Sequence, residues 1–196
     1  DINNVYKEVF TLKNLSKNKQ IHSNIVNKED KDNIGQIIDG DAIITNEKNV
    51  PLLILTADCV PVVLVDTINK AVGLAHAGWR GTYGKICAET LQSMKENYNT
   101  KPEDVVAIIG PSIGKCCYEV SYDLVEKFSA LLPNADEKIY EIRDDKYYLD
   151  LWEINTQILK EFGVLKSNII NMNICTSCNC DRFFSYRKHD KTPKRI

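Results

Sequence analysis

The chain has little of several features that define large classes of protein. It has only three histidines among 196 residues, and 25 Lys and Arg stand against 27 Asp and Glu. The formal net charge of −2 therefore leaves no basic field of the kind that holds a nucleic-acid backbone. No apolar run approaches the roughly 20 residues that span a bilayer, and no apolar segment near the N-terminus resembles a secretion signal. We expect a soluble, cytoplasmic protein with neither nucleic acid nor membrane as a partner.

The seven cysteines are an odd number, so at least one thiol stays free or binds something else. A chain of 196 residues with 43% hydrophobic side chains can bury one full core without disulfides. We therefore expect reduced cysteines and one domain over residues 1–196. Because the chain begins at Asp1 and not at Met, we also expect a processed or partial version of a longer sequence.

Short β-rich runs alternate with helical patterns in the middle of the chain, which is typical of an α/β domain. Apolar runs bounded by turn residues predict strands at 41–45, 52–56, 60–66, 70–76, 105–109, 169–174 and 183–186. Helical spacing of apolar residues predicts helices at 82–98, 124–132 and 151–162, the last two ended by Pro133 and Gly163. A polar stretch at 27–33 predicts an exposed loop.

Three potential metal ligands lie at the ends of predicted strands or in adjoining loops. His22 lies in QIHS, Cys59 lies in TADC, and His76 leads into HAGWRG. Imidazole and thiolate ligands suit zinc, and three protein ligands leave a fourth position open for catalysis. Spacing alone is a weak signal for so dispersed a set. Both histidines could equally cap helices or fill the core, and Cys59 could be a small buried hydrophobe.

The HAGWRG run places a positive charge beside two glycines at the start of a predicted helix. The glycines permit a tight turn and a close approach of the backbone to a ligand, and helix starts favour anions. Arg80 can present a planar, permanently charged fork to a phosphate or carboxylate. The alternative is that Arg80 forms a surface ion pair.

Two further cysteine groups are open to more than one interpretation. In GPSIGKCCYEV, neighbouring side chains of an extended run point to opposite sides, so only one of Cys116 and Cys117 is expected to face a cleft. Nearer the end, a structural zinc site could draw on the cysteines and histidine of CTSCNCDRFFSYRKHD, namely Cys175, Cys178, Cys180 and His189. The short gap between Cys178 and Cys180 makes tetrahedral closure awkward, which favours a plain reduced loop.

Taken together, six motifs resemble the YfiH-type family: QIHS, GDAIIT, TADCVPVVLVD, AHAGWRG, IGPSIGKCCYEV and FFSYRKHD. Members of that family are described as laccase-like multicopper polyphenol oxidases and as purine nucleoside phosphorylases with adenosine deaminase activity. The resemblance implies that His22, Cys59 and His76 hold the metal and that Arg80 lies in the pocket. It also implies a layered α/β fold of mixed sheets flanked by helices, similar to the deamidase domain of cytotoxic necrotizing factor.

The chain departs from the family pattern at three places. Ser23 follows the first histidine where glycine is usual, and Thr192, Pro193 and Lys194 replace an expected Thr-Gly-Arg run. Part of the family's N-terminal segment and its last strand are also expected to be missing, and with them a wall of the pocket.

The resemblance implies a zinc enzyme, with copper as the other possible metal, that cleaves adenosine, inosine or guanosine with phosphate and deaminates adenosine. Methylthioadenosine is a further candidate substrate. Cys59, His76 and Arg80 are the expected catalytic residues. Further substrate contacts are expected from Arg80, Asp58, Cys117 and Glu119, and either carboxylate could carry protons.

Three alternatives remain open at this point. A copper polyphenol oxidase would need more imidazole ligands than three histidines supply. A cysteine hydrolase would use Cys59 as the nucleophile and His76 as the base. A non-enzymatic metal-binding module would need the three ligands alone.

Overall fold

A six-stranded mixed sheet forms the centre of the structure, a computed structural model that describes residues 15–133, 135 and 138–189. The strands are β1 (Ser16–Lys17), β2 (Val26–Lys28), β3 (Ala42–Thr45), β4 (Leu52–Leu53), β5 (Val60–Asp66), β6 (Ala71–Ala77), β7 (Val105–Ile109), β8 (Glu119–Val120), β9 (Tyr140–Arg143), β10 (Lys146–Leu149) and β11 (Ile169–Asn171). The central sheet has the order β11-β7-β5-β6-β3-β2, a second sheet the order β8-β10-β9, and β1 pairs with β4.

The central sheet is antiparallel at its middle and parallel at both edges. β5 pairs antiparallel with both β6 and β7, whereas β11 is parallel to β7 and β2 is parallel to β3. Alternate residues of β5 and β7 are fully buried, which is the pattern of strands with one face on the main core. The mixed α/β architecture expected from the sequence is therefore confirmed.

The described residues form four α-helices: α1 (Trp79–Tyr83), α2 (Ile86–Tyr98), α3 (Tyr122–Leu131) and α4 (Leu151–Phe162). Apolar side chains of the last three pack into one core with the sheet. The single helix predicted at 82–98 is in fact two helices, because Lys85 has a positive φ of 55° that interrupts the helical path between α1 and α2. α4 ends at Gly163 as predicted, where φ is 112°.

Three predicted strands are shorter or absent because side chains take over backbone hydrogen bonds. The strand predicted at 169–174 stops at Asn171, whose side-chain oxygen accepts from the Asn173 N–H. The strand predicted at 52–56 stops at Leu53, since the Gln20 amide both donates to and accepts from the backbone of Leu55. No strand forms at 183–186 in the described chain. There the backbone N–H of Arg187 and the hydroxyl of Ser185 donate to the Asp58 carboxylate.

Three further segments complete the comparison with the sequence. The stretch predicted as a loop at 27–33 begins as the edge strand β2. The β9–β10 hairpin, which was not predicted, turns at Asp144 and Asp145, both with positive φ. The departure from the family pattern predicted at 192–194 lies outside the described residues.

No helix in the described ranges is long and apolar enough to cross a membrane.

A candidate metal centre and its pocket

The three predicted metal ligands meet at one point above the central sheet. Cys59 immediately precedes β5, His76 is the penultimate residue of β6, and Pro61 of β5 pairs with His76 across the two strands. His22 lies in the loop before β2 and has a left-handed backbone, with φ of 60°. One ligand atom from each residue lies within 4.8 Å of the others. The structure therefore brings together residues that are 54 positions apart in the chain (76 − 22).

A buried carboxylate, Asp41, orients two of the three ligands. One of its oxygens lies 2.8 Å from His76 Nδ1. The other accepts hydrogen bonds from the backbone N–H groups of Ile21 and Ser23 and from the Ser23 hydroxyl. Ser23, which stands where the family pattern has glycine, therefore helps to hold the Asp41 carboxylate in place. Because Asp41 occupies Nδ1, the Nε2 atom of His76 is left for a metal, which is the usual carboxylate–histidine–metal arrangement.

The pKa values of the cluster favour a charged thiolate beside a charged imidazole. Burial by itself would raise the pKa of the Cys59 thiol, but hydrogen bonds from His22 and His76 outweigh it and lower the pKa to about 7. Burial would lower the pKa of His76, but hydrogen bonds to Asp41 and Cys59 raise it to about 9. The pKa of Asp41 is held well below its usual range because these hydrogen bonds outweigh its burial.

The donor set fits a catalytic zinc site. Bonds of roughly 2.0–2.3 Å to tetrahedral zinc place ligand atoms roughly 3.3–3.8 Å apart, so a spread within 4.8 Å closes with small side-chain movements. Gly78 keeps space beside the ligands, because a Cβ there would lie 3.0 Å from Cys59 Sγ and 3.3 Å from His22 Cδ2. Two imidazoles and one thiolate leave the fourth position of the tetrahedron to a substrate or water.

The cluster opens into a pocket of about 700 Å³, a size that suits a small molecule. Its lining mixes the three ligands with apolar, aromatic, amide and positively charged side chains: Asn18, Gln20, Leu55, Ala57, Asp58, Trp79, Arg80, Ile113, Tyr118, Leu151, Tyr186 and Arg187. Burial and the negative charge of Cys59 raise the pKa of Tyr118 to about 12, so its phenol stays protonated and can donate a hydrogen bond.

Two arginines supply the positive charge of the pocket. The Arg80 guanidinium lies 4.3 Å from the centre of the Trp79 ring. The Arg187 guanidinium donates to the Glu119 carbonyl at 2.8 Å and lies 5.4 Å from the centre of the Tyr118 ring. Within residues 15–133, 135 and 138–189, neither guanidinium forms a salt bridge, so the structure gives no support to the alternative of a surface ion pair for Arg80. Both remain available to an anionic ligand.

The other predicted substrate contacts lie in different surroundings. Asp58 lines the pocket, but its carboxylate accepts from the Thr176 hydroxyl at 2.6 Å as well as from Ser185 and Arg187. It therefore fastens the C-terminal loop to the pocket. Glu119 is outside the lining, and its carboxylate pairs with Lys146 at 3.0 Å. Because Glu119 lies outside the pocket and is paired with Lys146, its position does not favour a role in carrying protons to the substrate.

Cys117, also predicted to contact substrate, belongs to a separate thiol group with Cys116, Cys175 and Cys178. The expectation that Cys116 and Cys117 point to opposite sides is wrong, because they lie in a turn and not in an extended run. The backbone N–H groups of Cys117 and Tyr118 both donate to the Gly114 carbonyl there. The predicted partners Cys180 and His189 are not in the group, and His189 Nδ1 instead contacts the backbone of Ser185.

Sequence reasoning missed three residues of the site. Asp41 was visible only as the aspartate of GDAIIT that begins the strand predicted at 41–45, and no pattern indicated that it would contact the segments of both His22 and His76. Tyr118 and Arg187 were inside motifs that carried the family resemblance but received no role. The signal that could have found Arg187 is its place in FFSYRKHD, where a second permanently charged side chain follows three aromatic residues.

Replacing Asp41 by asparagine should weaken zinc binding in the pocket by about 10–100-fold, because the amide cannot accept all four hydrogen bonds that orient His22 and His76. Isothermal titration of metal-free protein would measure the change. Asp66→Asn is the matched control, since Asp66 is equally buried but lies at the opposite end of the β5–β6 pair. Equal loss in both variants would show a general defect in packing and contradict an orienting role for Asp41.

Known proteins resemble this chain over most of its length. The family model for multi-copper polyphenol oxidoreductase laccase matches residues 3–195. A protein of Clostridium acetobutylicum named purine nucleoside phosphorylase is 34% identical over 191 residues, which are 97% of this chain and 78% of that protein. Human purine nucleoside phosphorylase LACC1 is 33% identical over 184 residues. These residues are 90% of this chain but only 41% of the human protein. For purine nucleoside phosphorylase YlmD of Bacillus subtilis the identity is 38%, over 76% of this chain and 53% of that relative.

Solved structures show the same fold. The crystal structure of the hypothetical protein YfiH from Bacillus licheniformis has a TM-score of 0.92 at 30% identity, over 98% of this chain and 76% of that one. YlmD from Geobacillus stearothermophilus has a TM-score of 0.92 at 34% identity, over 98% of this chain and 75% of that one. The chain therefore belongs to the laccase-like, YfiH-type family that its motifs indicated.

Proposed function

We propose that the protein is a zinc-dependent purine nucleoside phosphorylase that also deaminates adenosine. Adenosine, inosine and guanosine are the proposed substrates, with methylthioadenosine as a further candidate. The observation that carries the proposal is the convergence of the His22, Cys59 and His76 group with two arginines in one pocket of about 700 Å³. The names of the relatives supply the reaction class.

The proposed phosphorolysis places phosphate beside C1′ of the ribose. A phosphate oxygen forms a bond to C1′ as the bond from C1′ to N9 of the purine breaks, and the base leaves with the electron pair and gains a proton. Arg80 is positioned to hold the phosphate, and Arg187 lies in the same lining. Fixed positive charge there stabilises an attacking anion without reorganising during the reaction. The mixed aromatic and amide lining gives a purine both ring surfaces and hydrogen-bonding partners.

Zinc held by His22, Cys59 and His76 would supply Lewis acidity at its fourth coordination position, next to the substrate. The chain's own residues prepare that position: Asp41 fixes the tautomer of His76, and Gly78 leaves the space free. Tyr118 lies in the same lining, and its protonated phenol can donate a hydrogen bond to the base. Deamination of adenosine is proposed for the same pocket because an amino-substituted purine ring would lie beside the metal position.

A copper polyphenol oxidase agrees less well with the residues present. Two histidines and a cysteine are also the ligands of a single electron-transfer copper, so copper binding in the pocket fits the donor set. Oxygen reduction would need several further imidazole ligands, and only His189 remains. In the described part of the chain, the other candidate metal group consists of cysteines alone.

A cysteine hydrolase is a second candidate, favoured by one specific observation. Asp41, His76 and Cys59 form a consecutive set of hydrogen bonds, and the pKa of Cys59 is lowered to about 7. That is the arrangement of an activated nucleophile, its base and an orienting carboxylate. The predicted similarity to the deamidase domain of cytotoxic necrotizing factor belongs with this candidate and stays a prediction.

Product analysis separates these candidates. Purified zinc-loaded protein incubated with inosine and phosphate should release hypoxanthine and ribose 1-phosphate in equal amounts, and adenosine alone should yield inosine. Omitting phosphate should stop release of the base. Base release as free ribose without phosphate would indicate hydrolysis, and oxygen uptake with a phenol would indicate the oxidase. Activity that survives chelation but not alkylation would indicate the cysteine hydrolase.

A further inference from the structure

We propose that Cys116, Cys117, Cys175 and Cys178 form a second, structural zinc site with four thiolate ligands. The four sulfur atoms all lie within 4.8 Å of one another. The proposal does not rest on the nucleoside reaction, because the four thiols lie outside the pocket lining.

The distances between the sulfurs fit a tetrahedral metal site. Cys178 Sγ lies 3.5 Å from Cys116 Sγ and 3.4 Å from Cys117 Sγ. Four bonds of about 2.3 Å to zinc place the sulfurs about 3.8 Å apart, whereas a disulfide bond requires about 2.0 Å. All seven cysteines of the chain are free thiols in the structure. Closing four sulfurs around zinc therefore needs smaller movements than forming a disulfide.

Local backbone geometry presents the thiols in the way that structural zinc sites do. Cys175 and Cys178 have the C-x2-C spacing, and the Asn179 N–H donates to the Cys175 carbonyl, which closes the turn between them. The backbone N–H groups of Gly114 and Cys178 donate to Cys175 Sγ. Such N–H groups stabilise a thiolate. Zinc would replace the protons of the four thiols, so no oxidant or reductant is required.

The site would join two loops that form the pocket wall. Cys116 and Cys117 lie in the loop that carries Ile113 and Tyr118, and Cys175 and Cys178 lie in the loop that carries Tyr186 and Arg187. Backbone hydrogen bonds already join the loops near Ser112, whose carbonyl accepts from the Thr176 N–H at 3.0 Å. A zinc bridge would add a crosslink on the solvent side of this contact, because Cys116 and Cys178 are exposed. A zinc ion at this position would therefore join the two loops of the pocket wall.

Metal content of single variants tests the proposal. Zinc-loaded wild-type protein should contain about two zinc ions per chain by mass spectrometry, and Cys59→Ala should keep about one. Cys178→Ser should also keep about one, and should keep the ion at the pocket ligands. Cys178 is preferred to buried Cys175 because a substitution on the surface is less disruptive to folding. Cys180→Ser is the matched control in the same loop and should keep about two.

The ligands of the remaining ion give the decisive measurement. In Cys59→Ala, X-ray absorption at the zinc edge should show only sulfur neighbours, at about 2.3 Å. Nitrogen or oxygen neighbours, no zinc in Cys59→Ala, or two zinc ions in Cys178→Ser would overturn the proposal. Iron in place of zinc, or a disulfide found by mass spectrometry after thiol alkylation, would also overturn it.

Discussion

Replacing Cys59 by alanine should remove zinc from the pocket and abolish nucleoside turnover while leaving the fold intact. Structural zinc bound by four ligands contributes about 10–16 kcal/mol, so one ligand is worth about 3 kcal/mol, and its loss should weaken binding by at least a hundredfold. The same result is expected for His22→Ala and His76→Ala. Because the core of helices and sheet does not depend on these side chains, thermal unfolding should remain cooperative.

The remaining histidine provides the control for this experiment. His189→Ala removes an imidazole outside both candidate metal groups, so pocket zinc and turnover should stay near wild type. Zinc content is measured by mass spectrometry in a Cys178→Ser background, where only the pocket site is expected to be filled. Undiminished pocket zinc in all three ligand variants would contradict the metal assignment, whatever happens to activity.

The second large effect is expected at Arg80. Arg80→Ala should lower kcat/KM for phosphate on the order of a hundredfold, because one pre-positioned contact that stabilises the charge of the attacking anion is worth a few kcal/mol. Zinc content should be unchanged, since Arg80 is not a ligand. Steady-state rates at varied phosphate and saturating inosine measure the effect. Loss confined to KM for phosphate would place the contact in binding, whereas an added fall in kcat would place it in the transition state.

Two further substitutions interpret the Arg80 result. Arg80→Lys should rescue poorly, because lysine keeps the charge but loses the planar fork and the stacking on Trp79. Arg182→Ala is the matched control: Arg182 also lies over a neighbouring aromatic ring, that of Phe183, but does not line the pocket. Unchanged phosphate dependence in Arg80→Ala would return Arg80 to a structural role.

Local sequence patterns were sufficient for the elements that are regular and buried. β5 and β7 occupy the predicted positions at 60–66 and 105–109, because their apolar residues need only a sheet with a buried face. α4 was recognisable from its apolar spacing and Gly163. The β9–β10 hairpin was overlooked because charged residues interrupt its apolar pattern, although the Asp144–Asp145 pair with alternating neighbours is a turn signal.

The site depended on contacts between distant segments, which local patterns do not encode. The family resemblance predicted that His22, Cys59 and His76 would form one site. Nothing in the spacing showed that Asp41 would hydrogen-bond to His76 and to the backbone beside His22. Similarly, assigning opposite directions to Cys116 and Cys117 assumed an extended strand. The turn at Gly114 places both thiols beside Cys178, and this grouping is visible only in three dimensions.

The most direct test of the account is phosphate-dependent cleavage of inosine as zinc is returned to metal-free protein. We predict that chelation abolishes the release of hypoxanthine and ribose 1-phosphate, and that turnover recovers in proportion to zinc bound at His22, Cys59 and His76. Cys59→Ala should stay inactive at every zinc concentration. Full turnover in protein shown to be metal-free, or no product from any purine nucleoside in protein with a filled pocket site, would contradict the central claim.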